Sequence, residues 1–408
     1  MTIAKQADVV IIGGGVLGTS AAFHLSTLGN KRIVLLDRGP IASGTTPFAA
    51  GQTSYLNRDP VALKFGVYCI DFFEHFEERT GYPIDFRQCG SLRIALTEKY
   101  QSDLEACLGA AQEAGHEVTH ISDRRARELV PTLEPPADCR ILFVPRDGYV
   151  EPKSVAVAYA SAARDRGVAI HTRVSATGIE TREDRVQGVR TSEGFIETPW
   201  VVLAAGAWTR QFGQRLGLDL HTVPVRHQAF VTAPLPDVKI SQPIVRITEP
   251  QIYVRHEAAG LLVGGYGFQP LSFDMDEFPA DFEIPALPAD PLYYEQLAAA
   301  ASRYFPSLRG AVIIQERRGL PTMAPDGRMI ASESEQMPGL IVLSACTVGG
   351  IQRSPGAGRI VAEIVSGKPP WIPPSLLSVD RFDDQYSDDE GLRARCVETY
   401  AHHYHEIL

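Results

Sequence analysis

Long apolar runs are missing from this chain of 408 residues. None reaches the ~18 residues that a membrane-spanning helix needs, so no span is expected. A basic excess is missing as well. The 39 Lys and Arg residues are outnumbered by 49 Asp and Glu, for a net charge of −10, which leaves no surplus to neutralise the phosphates of a nucleic acid. A local basic pocket for a small anion is still compatible with that balance. Paired cysteine motifs are absent too. Cys69, Cys89, Cys107, Cys139, Cys346 and Cys396 are scattered, with no CxxC and no histidine pair at metal spacing. The pattern argues against a zinc site or a disulfide framework, and for reduced thiols in a cytoplasm. The opening residues, MTIAKQADVVIIGGG, lack the basic, apolar and small-residue succession of a secretory signal. No internal repeat or low-complexity tract is present. What remains is an ordinary globular composition, 44% hydrophobic and 22% charged, in a chain long enough for two domains.

The informative residues start at once. Residues 7–12 (ADVVII) read as a central parallel strand buried on both faces. Gly13-Gly14-Gly15-Val16-Leu17-Gly18 then matches GxGxxG, residues 19–29 read as a helix, and residues 31–37 (KRIVLLD) as a second strand ending on Asp37. Each part has a task. Gly13 permits the tight turn, Gly15 lets a pyrophosphate approach the backbone, and Gly18 lets helix and strand pack closely. The helix N-terminus offers free N–H groups to the phosphates. Asp37 stands where an acid accepts hydrogen bonds from a ribose diol, which disfavours a 2′-phosphate. The motif by itself does not separate NAD from FAD.

A second glycine-rich connection lies near the other end. The strand read at residues 339–344 (GLIVLS) is followed by Gly349-Gly350-Ile351 and by Ser354-Pro355-Gly356-Ala357-Gly358, with a helix after them. Such a connection suits a cofactor whose far end, a flavin and ribityl chain, also meets backbone amides. With the loop Ser43-Gly44-Thr45-Thr46, Gly148-Tyr149-Val150-Glu151-Pro152, Ala204-Ala205-Gly206-Ala207-Trp208 and Pro325-Asp326-Gly327, the chain resembles the D-amino-acid oxidase-like flavoproteins over nearly its whole length. Pro224-Val225-Arg226-His227-Gln228 and Gln251-Ile252-Tyr253-Val254-Arg255 are similar to the flavin domain of dimethylglycine oxidase and dehydrogenase, as is the stretch 379–382 with Tyr400 and Tyr404. The resemblance implies FAD and hydride transfer from a carbon bearing nitrogen to flavin N5, with oxygen or another electron acceptor downstream. It implies a cofactor site formed by Gly13, Gly15, Val16, Leu17, Gly18, Asp37, Arg38, Ser43, Gly44, Thr45, Thr46, Val174, Ala205, Gly206, Trp208, Gly349, Gly350, Ile351 and Gln352. His227 is the expected base or orienting group and Tyr253 its companion. The folate-binding domain that follows in that group is not in this sequence, so a released one-carbon unit is expected to leave as formaldehyde.

The departures matter as much. Phe48 and Gly319 stand where relatives carry the His or Cys that bonds the flavin, so noncovalent FAD is expected. Leu262 replaces a lysine that activates oxygen, which leaves oxidase and dehydrogenase both open. Pro321 stands in place of a carboxylate-binding arginine, leaving Arg226, Arg255, Arg317, Arg318 and Arg353 as candidates for that role. His402, His403 and His405 read as a solvated or docking tail rather than a metal site. Competing readings are a D-amino-acid or 2-hydroxyacid dehydrogenase of the same fold, and a flavin subunit of a heteromer.

The expected fold class is α/β: an FAD-binding, Rossmann-like three-layer domain (1–80, 145–215 and 315–370) and an α+β substrate domain with an antiparallel sheet (81–144 and 216–314), followed by a C-terminal extension (371–408). Residues 269–290 read as a loop or lid.

Overall fold

The computed structural model describes residues 3–382, 386 and 388–404; His405 lies outside them. Two sheets organise the molecule. The first has six strands in the order Ile330–Glu333, Leu340–Ser344, Val201–Leu203, Val9–Ile12, Ile33–Asp37 and Ala169–Thr172, parallel throughout except for the first. Its central strands are uniformly apolar because both faces are covered. Helices Val16–Ser26, Pro152–Asp165 and Gly350–Val365 pack on one face, around Ile11, Leu35, Leu343 and Ile360. The other face carries a meander of three short antiparallel strands, contributing Ile179, Val186, Val189 and Ile196 to a second core. The α/β, three-layer expectation is met, with an antiparallel layer rather than helices as the third.

The second sheet has eight strands in the order Ile313–Gly319, His227–Thr232, Gly260–Gly265, Ile252–Glu257, Ile244–Ile247, Ser91–Ala95, Arg140–Val144 and Thr119–His120. All its pairings are antiparallel except that of Ile244–Ile247 with Ser91–Ala95. Period-2 alternation divides its faces. Leu92, Ile94, Val245, Ile247, Val254 and Val263 face a core completed by helix Pro291–Ala301. Arg93, Arg246, Tyr253, Arg255 and His227 face the other way, as the pairings Arg93–Arg246, Arg246–Tyr253 and His227–Gly319 require.

Two local expectations are revised. Residues 349–358 are not one glycine-rich turn. The helix begins at Gly350 and runs through Pro355, Gly356 and Gly358 to Val365. A Cβ at Gly358 would overlap Ser20 Oγ, and one at Gly356 would overlap the Phe65 ring. The glycines there let this helix lie against Val16–Ser26, where Ser20 Oγ donates to Ser354 O at 2.6 Å. Residues 269–290 are largely irregular, as expected, yet are pinned rather than free. Met275, Phe282, Ile284 and Leu287 are buried against Ala207 and Leu320.

Candidate active site

The turn after the first strand is set by contacts that admit no side chain. Gly13 has φ +114°, and a Cβ on it would overlap Ala204 O; a Cβ on Gly18 would overlap Gly13 O. Gly15 differs. A Cβ there would meet one atom, Thr46 Oγ1, at 3.4 Å, so its outer side is open. It is also the N-cap of Val16–Ser26 and gives that helix no side-chain cap, leaving N–H groups free for an anion. Thr46 Oγ1 accepts from Val16 N at 3.1 Å. Asp37 accepts from Gly14 N at 2.5 Å and Gly39 N at 2.6 Å. Burial raises its pKa, and those amide bonds oppose the shift. Val174 N donates to Asp37 O at 2.9 Å. The second glycine pair closes on the first, because a Cβ at Gly350 would lie 3.0 Å from Cys346 Sγ and 3.9 Å from Val16 Cγ1. Just before it, Ala345, Thr347 and Val348 have φ of +48°, +47° and +51°. Non-glycine residues hold that conformation at ~1–3 kcal/mol each, and the turn is tied down by its own amides, Ala345 N donating to Thr322 Oγ1, Thr347 N to Thr322 O and Gly349 N to Thr347 O. Ile351 is buried among Val16, Phe23 and Phe72, and Gln352 Nε2 donates to Ser54 O.

Other expected cofactor residues have different partners. Thr45 Oγ1 donates to Leu320 O at 3.2 Å and accepts from Leu320 N at 3.0 Å, tying the Ser43–Gly44 loop to the eight-stranded sheet. Gly206, which follows Ala205, has φ +57°. The Arg38 guanidinium lies 4.0 Å above the Trp208 ring and donates to Ala280 O and Phe282 O at 3.1 and 2.9 Å. It holds residues 269–290 down.

The second centre is assembled across the sheet. His227 Nε2 is 2.7 Å from Tyr253 Oη, and Nδ1 is 2.7 Å from Tyr400 Oη. Burial lowers the histidine pKa to about 4 and raises both tyrosines, so all three groups are neutral at ordinary pH. One ring nitrogen donates and the other accepts. Tyr253 has room because its cross-strand partner is Gly264, where a Cβ would overlap the phenol oxygen. Opposite His227 is Gly319, whose Cβ position is 3.7 Å from Phe48 Cβ. Phe48 and Gly319, the two positions that the resemblance marks for a covalent flavin link, thus lie together with Gly319 opposite His227, and neither carries a nucleophile. Leu262 is fully buried near Tyr253.

The candidate arginines divide. Arg226 pairs with Asp290 at 2.9 Å and donates to Pro288 O. Arg255 donates to Ala50 O at 2.8 Å and pairs with Glu257 at 2.5 Å, while Arg317 reaches the same carboxylate at 2.7 Å. Arg318 lies 3.8 Å from Glu316. Arg353 donates to Cys346 O at 2.8 Å and lines a cleft of about 500 Å³. Arg93 and Arg246, not among the expected site residues, line the same cleft. Their signal was an arginine inside an apolar strand, LRI and VRI, where alternation marks the opposite face. His403 belongs to the stretch expected as a solvated or docking tail. It is docked: buried, with its ring 4.7 Å from that of Tyr266.

A family described as FAD dependent oxidoreductase matches residues 8–364. This chain belongs to it. Among curated relatives, 4-methylaminobutanoate oxidase (formaldehyde-forming) of Paenarthrobacter nicotinovorans is 28% identical over 97% of this chain and 48% of its own length. The mitochondrial dimethylglycine dehydrogenase of Rattus norvegicus is 31% identical over 92% and 44%. The mitochondrial pyruvate dehydrogenase phosphatase regulatory subunit of Mus musculus is 31% identical over 98% and 46%. The chain thus spans about half the length of these proteins. In fold it is similar to L-proline dehydrogenase from P. horikoshii, with TM-score 0.82 and 21% identity over 93% of this chain and 98% of that one. FAD is the family's cofactor, and the cradle fits it: an open Gly15 at the start of a helix and a half-buried acid at 37 suit the nucleotide. Among the described residues no helix is long and apolar enough to cross a membrane, and no His, Cys, Asp and Glu group could hold a metal.

Proposed function

We propose that this protein oxidises the C–N bond of a secondary or tertiary amine, an N-methyl amino acid, and releases the methyl carbon as formaldehyde. The observation that carries this reading is the neutral His227, held by Tyr253 and Tyr400 and opposite Gly319 and Phe48. The N-methyl substrates named in two of the relatives support it. FAD, held noncovalently by residues 13–18, 37–46 and 349–352, supplies the hydride acceptor. Loss of hydride from the methyl carbon leaves an iminium, which water splits into formaldehyde and the demethylated amine.

The protein's part is binding and orientation. A histidine with its pKa near 4 is a poor base for an ammonium, so His227 orients Tyr253 rather than storing the proton. A secondary amine enters neutral and donates its N–H to Tyr253 Oη, leaving the nitrogen lone pair to expel the hydride. The reacting carbon then needs a near-attack distance of ~3–3.5 Å. With Leu262 in place of a cation, oxygen is a slow acceptor, and a protein or quinone-like acceptor serves better. Anaerobic flavin bleaching by N-methyl amino acids, primary amino acids and 2-hydroxy acids tests the reading. Bleaching by N-methyl amino acids with formaldehyde formed in equal amount is expected, and bleaching by hydroxy acids alone would refute it.

A further inference from the structure

His227 opens its strand between two residues that are both tied to residues 288–293. Before it, Arg226 donates to Pro288 O at 3.2 Å and to the Asp290 carboxylate at 2.9 Å. After it, Gln228 Oε1 accepts from Asp290 N at 2.9 Å, and the Tyr293 hydroxyl donates to Gln228 O at 2.5 Å. Asp290 is also the N-cap of helix Pro291–Ala301 and accepts from Tyr293 N at 3.4 Å, so the two holding residues are fixed to each other. Gln228 and Tyr293 are 1% and 2% exposed, which keeps water from replacing these bonds.

The Tyr293 hydroxyl occupies a particular place in the sheet. Strand His227–Thr232 pairs with Gly260–Gly265 as far as Ala229 opposite Gly264. The next rung would join Gln228 to Gly265. The phenol oxygen stands there instead, 2.5 Å from Gln228 O and 2.8 Å from Gly265 O, and accepts from Gly265 N at 3.3 Å. A side chain thus replaces a backbone rung and holds the two strands apart at the residue next to His227. Without the hydroxyl, Gln228 and Gly265 lose that partner and the strands can close by one rung, which moves His227. Its two ring contacts, both 2.7 Å, tolerate little movement of that kind.

We propose that Tyr293 and Asp290 are positioning residues for the amine reaction: they set the backbone on both sides of His227, so that its ring meets Tyr253 and Tyr400. Tyr293 acts through the missing rung, and Asp290 through Arg226 and Gln228. The part concerning the reaction rests on the amine reading above, whereas the placement of His227 can be read without it.

The test uses FAD-loaded protein with isotope-labelled histidine ring nitrogens. The His227 signals are assigned by their absence in His227→Gln. Tyr293→Phe should move both from their wild-type positions, with FAD content unchanged. With a reducing N-methyl amino acid, Tyr293→Phe should lower the limiting rate of anaerobic flavin reduction about tenfold. Combined with Tyr253→Phe, it should add less than about twofold to the loss that Tyr253→Phe causes alone, because both changes break the same link. A role in packing alone would leave the His227 signals in place and multiply the two losses. Either result overturns the proposal, as does an unchanged rate in Tyr293→Phe. If Tyr293→Phe does not fold, Asp290→Asn carries the test. It keeps the helix cap, weakens the tie to Arg226, and should give the same pattern with about a threefold loss. If the His227 signals move as expected but no amine bleaches the wild-type flavin, the placement of His227 by Tyr293 stands and the amine-oxidation reading fails.

Discussion

Between Gly13 and Thr46 the chain lays down most of the proposed nucleotide cradle in one continuous stretch, closed from outside by Ala204 and Val174. The proposed amine centre needs His227, Tyr253, Gly264, Gly319 and Tyr400, from five separate segments brought together by strand register and by helix Asp389–Ala401. The cradle is therefore fixed by backbone geometry, where each glycine either fits or does not. The centre is fixed by side chains that press on one another. The first should fail all at once under substitution, and the second by degrees, with the fold intact.

Gly18→Ala should have the largest effect. Its Cβ would fall on the carbonyl oxygen of Gly13, where neither helix nor strand can yield, and little folded, FAD-containing protein should be recovered. Gly15→Ala is the internal comparison. With only Thr46 Oγ1 at 3.4 Å nearby, it should fold normally and lose FAD affinity, read by flavin content after dialysis. If both variants behave alike, the distinction between packing glycine and cofactor-facing glycine is wrong.

At the proposed amine centre, His227→Gln and Tyr253→Phe should slow anaerobic flavin reduction by ~10²-fold through lost orientation, with FAD content unchanged. Gly264→Ala should do nearly as much without removing any polar group, because the new methyl displaces the Tyr253 hydroxyl. Normal reduction rates in Gly264→Ala would show that the His227–Tyr253 contact is dispensable.

Acid sensitivity separates the regions in another way. His24, in the cradle's own helix Val16–Ser26, and His227 both have pKa values lowered to about 4, burial being the leading cause. Their unfolded forms titrate near ~6.5. As pH falls below that value the unfolded chain takes up protons that the folded chain refuses, so stability drops from pH ~6.5 to ~4 and then levels as the folded sites titrate. Urea unfolding at stepped pH should show this slope, and a flat profile over that window would count against both buried neutral rings. The reduction rate itself should show no inflection near pH 6.5 from His227.

These contrasts follow what was legible. The cradle could be read directly, since GxGxxG, two apolar strands and Asp37 encode it within a few turns of chain. His227 and Tyr253 stood out only through resemblance, because nothing local says that residues 227, 253 and 400 share a space. Arg93 and Arg246 became visible once register placed them opposite each other. The segment 349–358 was misread because small residues that relieve a helix–helix crossing look, in one dimension, like a turn. Gly358→Ala tests that revision. Pressing a methyl against Ser20 and His24 should cost ~1–3 kcal/mol of stability, with FAD affinity lost only as far as folding is.

Arg38 gives the smallest expected effect and the sharpest question about where the cradle ends. Its place after Asp37 suggested a cofactor residue, yet its guanidinium stacks on Trp208 and bonds the carbonyls of Ala280 and Phe282. Arg38→Ala should then cost ~1–3 kcal/mol, expressed locally as faster proteolysis within residues 269–290, while FAD content stays at the wild-type level. Loss of FAD with unchanged proteolysis would return Arg38 to the nucleotide. The outcome matters for the amine centre because the same segment is anchored from its far end by Arg226 through Pro288 and Asp290, one residue before His227. A strap held at both ends spans the two regions, so loosening it at Arg38 should raise KM for amines slightly while leaving the cradle untouched.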